Sequence, residues 1–209
     1  KPSMNVAIIP ALGGSKRIPR KNVKEFHGKP IIAYSIEAAK QSGCFDRIIV
    51  STDDEEIAEV ARAYGAEVHF LRPAEISDDH ATTMDVIQNA LLWFEERSQY
   101  VTYACCIYAT APFISSEAIN RGLSALVEGR FDYAFSATSF AFPIQRALKI
   151  NHDGSTKMFM PEHLNTRSQD LEEAYHDAGQ FYWGKSTAFL DKKPMFSNAS
   201  FAVVLPRKL

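Results

Sequence analysis

The stretch Pro10-Ala11-Leu12-Gly13-Gly14-Ser15-Lys16-Arg17-Ile18-Pro19-Arg20-Lys21-Asn22 carries the most distinctive chemistry in this chain. Gly13 and Gly14 permit backbone angles closed to other residues and let N–H groups approach an anion closely. Ser15 adds a hydroxyl donor. Lys16, Arg17, Arg20 and Lys21 add four positive charges, close to the charge of a triphosphate. The spacing is neither that of a GxxxxGK[ST] phosphate loop nor that of a GxGxxG dinucleotide turn. On residue types alone the stretch is equally a solvated basic loop. Its position directly after an apolar β-rich run favours phosphate binding, because ligands of open parallel sheets sit beyond the carboxyl ends of the strands.

The elements that must position this loop follow from periodicity. Residues 5–10 (NVAIIP) read as a strand buried on both faces. Residues 30–41 read as a helix, with Pro30 in its first turn and Gly43 beyond its end. Strands are predicted over 46–52, 67–71, 103–110 and 132–137, and helices over 53–64, 81–97 and 115–128. The helix over 53–64 starts acidic and stops at Gly65, as the helix dipole and a left-handed cap favour. This alternation predicts an α/β fold with a parallel sheet covered by helices on both faces. After residue 140 the rhythm breaks. Residues 145–150 look like a strand, 151–154 (NHDG) a turn, 161–172 a polar loop, and 180–184 and 201–205 strands again. The whole chain, 1–209, reads as one domain with an arm or flap at about 140–183.

Composition narrows the function classes. A chain of 209 residues with 46% apolar residues can bury a real core. A formal net charge of -2 gives no support to a nucleic-acid or membrane-surface binder. No apolar run approaches the ~20 residues of a membrane helix. Cys44, Cys105 and Cys106, an odd number without metal-ligand spacing, read as small core side chains in a reducing cytoplasm.

Several segments carry a resemblance. The run from Met4 to Asn22, then Gly28-Lys29-Pro30-Ile31, Ile49-Val50-Ser51-Thr52-Asp53, Leu71-Arg72-Pro73-Ala74-Glu75 and Ala109-Thr110-Ala111-Pro112 resembles the cytidylyltransferases that activate sialic acid and related sugar acids. The resemblance runs in order through nearly the whole chain. Tyr108-Ala109-Thr110-Ala111-Pro112-Phe113, Arg167-Ser168-Gln169-Asp170-Leu171 and Ala174-Tyr175-His176-Asp177-Ala178-Gly179-Gln180-Phe181-Tyr182-Trp183 look most like the pseudaminic acid branch. The family implies a three-layer α/β/α sandwich with a mostly parallel, Rossmann-like sheet of the nucleotide-diphospho-sugar transferase type, and a small dimerisation arm.

It also implies an activity: transfer of CMP from CTP to the anomeric hydroxyl of a nine-carbon sugar acid, with release of pyrophosphate. Mg2+ or Mn2+ is the implied cofactor, and a homodimer the implied assembly. By resemblance, Lys21 and Lys16 are the catalytic cations, Lys21 at the α-phosphate. Ala11, Leu12, Gly13, Gly14, Ser15, Lys16, Lys21, Asn22, Arg72 and Thr82 would hold the nucleotide. Tyr108, Thr110, Gln180 and Tyr182 would line the sugar pocket, and Arg167 would grip the sugar carboxylate bidentately. Each has a plainer reading. Arg72 before Pro73 suits an exposed loop cation, Thr82 a helix cap, and Tyr108 and Tyr182 sheet aromatics. His176 beside Asp177 suits a general base by its ordinary pKa, and equally a structural histidine.

The sequence departs from the family pattern twice. Leu12 stands where the family loop reads Ala-Arg-Gly-Gly, removing a charge-assisted contact worth ~1.5–3 kcal/mol. No Asp-x-Asp metal segment precedes Leu209, so the natural protein is expected to continue further or to have a damaged metal site; Asp53 and Asp54 are poor substitutes. The rival readings are an enzyme for sialic, legionaminic or eight-carbon sugar acids, a CTP-binding protein without turnover, and an unrelated basic-loop binding module.

Overall fold

A computed structural model describes residues 3–13, 21–71 and 83–207. The chain forms two compact units, Lys1–Ser136 with Gly179–Val203, and Ala137–Ala178 with Val204–Leu209. No helix among the described residues is long and apolar enough to cross a membrane.

The chain opens with strand β1 (Met4–Pro10). A short hairpin of β2 (Glu25–Phe26) and β3 (Lys29–Pro30) leads into helix α1 (Ile31–Ser42). Strand β4 (Arg47–Thr52), helix α2 (Glu55–Ala63), strand β5 (Glu67–Phe70) and helix α3 (Thr83–Glu96) follow. Then come β6 (Val101–Ile107), α4 (Ser116–Val127) and β7 (Tyr133–Ser139). After the hairpin strands β8 (Leu148–Ile150) and β9 (Thr156–Met158), the chain finishes with β10 (Tyr175–Lys185), α5 (Ser186–Leu190) and β11 (Ser200–Val204).

Seven strands form one sheet in the order β11-β7-β10-β6-β1-β4-β5. β1 pairs in parallel with both β4 and β6, placing Ile8 opposite Ile49 and Cys106. Val6 to Ile9 are fully buried, which is why this stretch of the strand is continuously apolar rather than alternating. β5 extends the parallel set beside β4, while β10 runs antiparallel to β6. The sheet is therefore mixed but mostly parallel.

Helices cover both faces, and β10 shows how. Successive strand side chains point to opposite sides. Phe181 and Trp183 meet α4, where the Trp183 indole N–H donates to the Ile119 carbonyl at 2.9 Å. Tyr182, between them, belongs to the buried cluster with Leu91 and Phe94 of α3 and Phe189 of α5. α1 and α2 pack with the α4 layer, and α3 packs with α5. Cys44, Cys105 and Cys106 are free and buried in this core.

β1 is also where the sheet's strand order reverses. The chain leaves β1 for β4 and β5 on one side, then returns to place β6 on the other. The carboxyl ends of β1 and β6 thus flank a switch point, the crevice where sheets of this kind bind ligands.

The second unit holds the departures from the sequence reading. The strand predicted over 145–150 splits into a 3-10 turn at Ile144–Arg146 and β8, because only its end pairs with β9. β9, polar and mostly exposed, carries no apolar alternation that would reveal it. The predicted loop over 161–172 contains 3-10 turns at Pro161–His163 and Ser168–Asp170.

Candidate active site

The switch point is built from its backbone outward. Ala11, which leaves β1, is buried and donates its N–H to the Ser51 carbonyl of β4 at 2.9 Å. Gly13 N–H donates to Asp53 Oδ1 at 2.8 Å. Gly13 has no room for a larger residue: a Cβ there would lie 2.8 Å from Asp54 Cβ. Asp54 in turn caps α2, accepting the Ile57 N–H at 3.0 Å. The acidic start of this helix, legible as a dipole preference, therefore also docks the basic loop.

Asn22 closes the loop from its far end. Its side chain is buried, 4% exposed, and its Nδ2 donates to the Leu12 carbonyl at 2.9 Å. Its own carbonyl accepts the Ile32 N–H at the start of α1. Loop entry and exit are thus tied together, which brings Lys21 back to the sheet end where the chain left it. Leu12 lays its side chain against the buried cluster on the α3 face, so in this chain position 12 serves packing. Gly14, Ser15 and Lys16, together with Arg72 and Thr82, lie outside the described residues.

Lys21 and Thr110 line one cavity of ≈ 370 Å³, together with Lys24, Glu25, Phe26 and Ile31. Residues 89 positions apart meet because β1 and β6 are neighbours in the sheet. Lys24, Glu25 and Phe26 were not singled out from sequence, and nothing in their spacing marks them. Their signal is tertiary: the β2–β3 hairpin folds beside the strand ends.

Tyr108 follows β6 and is held at both backbone ends. Its N–H donates to the Gln180 carbonyl at 3.0 Å, and its carbonyl accepts the Ser35 hydroxyl of α1 at 2.6 Å. The Tyr108 and Tyr182 rings meet edge to face, with centroids 5.5 Å apart. Tyr182 is 8% exposed, so its ring is a core side chain at the inner end of the site. Gly179, with φ 68°, passes 3.9 Å from the Tyr108 ring at the position of its missing Cβ. Ser136 Oγ accepts the N–H groups of Gln180 and Phe181, both at 3.1 Å, holding β10 in this position.

Arg167 lies in the second unit, where it is largely exposed and pairs with Asp170 at 3.1 Å. His176 is in the same unit, its Nδ1 2.9 Å from the Asp177 backbone carbonyl and its ring edge-on to Phe140.

Among the described residues no three His, Cys, Asp or Glu side chains converge as a metal set. Asp53 and Asp54 each spend an oxygen on a backbone N–H. The described residues do not fit a preassembled metal centre.

A model of the cytidylyltransferase family matches residues 6–203. The chain belongs to the cytidylyltransferase family. It is a nucleotidyltransferase. The chain is similar to the pseudaminic acid cytidylyltransferase of Campylobacter jejuni subsp. jejuni serotype O:2, 47% identical over 98% of this chain and 88% of the relative. It is 30% identical to the CMP-N,N'-diacetyllegionaminic acid synthase of Legionella pneumophila, over 96% of this chain and 86% of that protein. Among solved structures, a CMP:2-keto-3-deoxy-manno-octonic acid synthetase complexed with CTP superposes with a TM-score of 0.70. That match covers 97% of this chain and 91% of the other at 17% identity, a likeness of fold.

Proposed function

We propose that this cytidylyltransferase couples CTP to pseudaminic acid, giving CMP-pseudaminic acid and pyrophosphate. The observation that carries the reading is the 47% identity to the Campylobacter enzyme across 98% of the chain. The common cavity of Lys21 and Thr110 supports it, because a phosphate-holding cation and a sugar-side residue must face one reacting centre.

In this reading the anomeric hydroxyl oxygen attacks the α-phosphorus of CTP as its proton departs. The bond from that phosphorus to the bridging oxygen breaks, and pyrophosphate leaves with the electron pair. Catalysis is positioning plus charge stabilisation. Lys21 steadies the α-phosphate at the cavity rim. Lys16, Ser15 and the Gly14 N–H hold the outer phosphates, and Gly13, its own N–H bound to Asp53, anchors the start of the loop. Asn22 acts by closing the loop. Ala11 and Arg72 lie against the cytosine and ribose with Thr82 nearby, while Leu12 backs the loop from the buried cluster. Tyr108, Thr110, Gln180 and Tyr182 line the sugar side, and Arg167 takes its carboxylate. Mg2+ or Mn2+, if carried in on the triphosphate, would supply neutralisation of part of its charge.

A homodimer is part of the proposal. The second unit leaves Phe142, Ile150, Phe159 and Leu164 at least 66% exposed, an apolar surface suited to a second copy of the chain. Light scattering on the eluting protein should give twice the chain mass; a monomer at all concentrations would overturn it.

The activity is tested by pyrophosphate release with CTP and magnesium, using pseudaminic, legionaminic and sialic acids in parallel. Release with pseudaminic acid is expected. Release with another acid only would keep the family chemistry and sink this substrate, and CTP binding without release would leave a nucleotide-binding protein.

A further inference from the structure

Gln180 presents an oxygen that the chain does not use. Its Oε1 is shielded from solvent and has no hydrogen-bond partner among the described residues. A buried carbonyl oxygen without a donor is a persistent cost to the folded state, so such atoms are few and ask for an explanation. The same condition is met by His69 Nδ1, Thr102 Oγ1 and Gln145 Oε1. His69 lies beneath Trp93 on the edge strand, Thr102 at the amino end of β6, and Gln145 in the second unit. Gln180 differs in its place. It stands opposite Tyr108 at the carboxyl end of β6, the end that carries Thr110 and faces the switch point.

Strand alternation puts the Gln180 side chain on the sheet face of Tyr182, not on that of Phe181. That face carries Leu12, Tyr108 and Tyr182 against one buried cluster. The residue is also held rigidly. Ser136 Oγ accepts its N–H at 3.1 Å, and its carbonyl takes the Tyr108 N–H. The unused oxygen therefore extends from a fixed backbone on the sheet face that it shares with Tyr182.

We propose that Gln180 Oε1 is a specificity contact that accepts a hydrogen bond from the acceptor sugar, from an acylamino N–H or a ring hydroxyl. The inference rests on the sugar-acid transferase reading and deepens it. A preformed, dry acceptor rejects a substrate lacking the matching donor far better than an apolar wall does, because the mismatch leaves both partners unsatisfied. It also explains why the chain tolerates the orphan: the cost is present without sugar and relieved when sugar binds.

The test is Gln180→Met, which keeps the length of the side chain and removes the acceptor. Steady-state pyrophosphate release is measured with pseudaminic acid, or with whichever sugar acid the wild type uses. The expected result is a loss of at least about tenfold in kcat/KM for the sugar, with KM for CTP within twofold of wild type. The thermal midpoint of the sugar-free protein should not fall, since Met removes a buried unsatisfied oxygen. Unchanged sugar kinetics, or an equal loss toward CTP, would overturn the assignment alone. A wild type that uses no sugar acid would overturn both the assignment and the reading beneath it. Repeating the comparison with an analogue bearing hydroxyl in place of the acylamino group identifies the donor. A penalty that vanishes assigns the amide N–H, and one that persists assigns a hydroxyl.

Discussion

Asp53 Oδ1 accepts the backbone N–H of Gly13 at 2.8 Å, joining residues 40 apart in sequence across the carboxyl ends of β4 and β1. The bond aims the start of the basic loop. It also makes an acidic residue a structural part of the loop's base, where its oxygen is occupied by a backbone donor.

Breaking that bond should loosen nucleotide binding more than the fold. Asp53→Ala is expected to weaken CTP binding by about tenfold, the usual worth of one charge-assisted hydrogen bond. Gly13→Ala should do more, because its Cβ would overlap Asp54, with a stability loss of ~1–3 kcal/mol. Calorimetric titration with CTP and urea melts of each variant check both. Unchanged affinity in Gly13→Ala would sink the account of the loop.

Lys21 is exposed and lines the cavity. Lys21→Met should lower kcat for pyrophosphate release by about 10²-fold, the scale of losing one preorganised charge at a transition state. Its thermal midpoint should stay near wild type. A variant that retains most of its kcat would remove Lys21 from the reacting centre.

Position 12 offers a gain as well as a loss. Leu12 packs on the buried cluster, so Leu12→Arg gives up apolar contact and must carry its guanidinium out to the crevice. We expect CTP to bind about tenfold more tightly and the fold to lose ~1 kcal/mol. Titration and melting of the same variant measure the two effects.

His69 should make the fold acid-sensitive. Burial, aided by Arg47 and Arg97 and opposed by Glu67, holds its pKa below the usual 6.5. The folded state therefore prefers the neutral ring. Above pH 6.5 both states are neutral there and no stability is lost; as pH falls below 6.5 the unfolded chain takes up the proton first and stability declines. In His69→Phe that part of the decline should disappear. Melts from pH 7.5 down to about 5, wild type against variant, provide the check; parallel curves would refute it.

The three thiols should be inert while the chain is folded. Burial pushes Cys105 and Cys106 well up and Cys44 up, leaving little thiolate to react. A thiol reagent should label the native protein slowly and the denatured protein at once. Rapid native labelling of Cys106 would contradict the packing of β6.

Periodicity alone determined much of the molecule. The apolar run of β1, the amphipathic stripe of α3 and the acidic start of α2 are local signals, and the elements through β7 other than the β2–β3 hairpin follow from signals of that kind. Residue types left the loop after β1 equally a solvated basic loop, and its place directly behind a buried strand is what favoured phosphate. What failed was short or polar: β9 has three residues with no buried alternation, and α5 has five, too few to show a helical period.

The site itself was decided in three dimensions. Asp53 meets Gly13 across 40 residues, Ser35 meets Tyr108 across 73, and Ser136 meets Gln180 across 44. No local pattern encodes such contacts, because they depend on which strands become neighbours. The sequence by itself determined the fold class, since that rests on residue type and spacing. Only the tertiary structure decided that Lys21 and Thr110 share a cavity, that Leu12 turns to the core, and that Gln180 keeps an oxygen unspent, because burial and hydrogen bonding are properties of the assembled sheet.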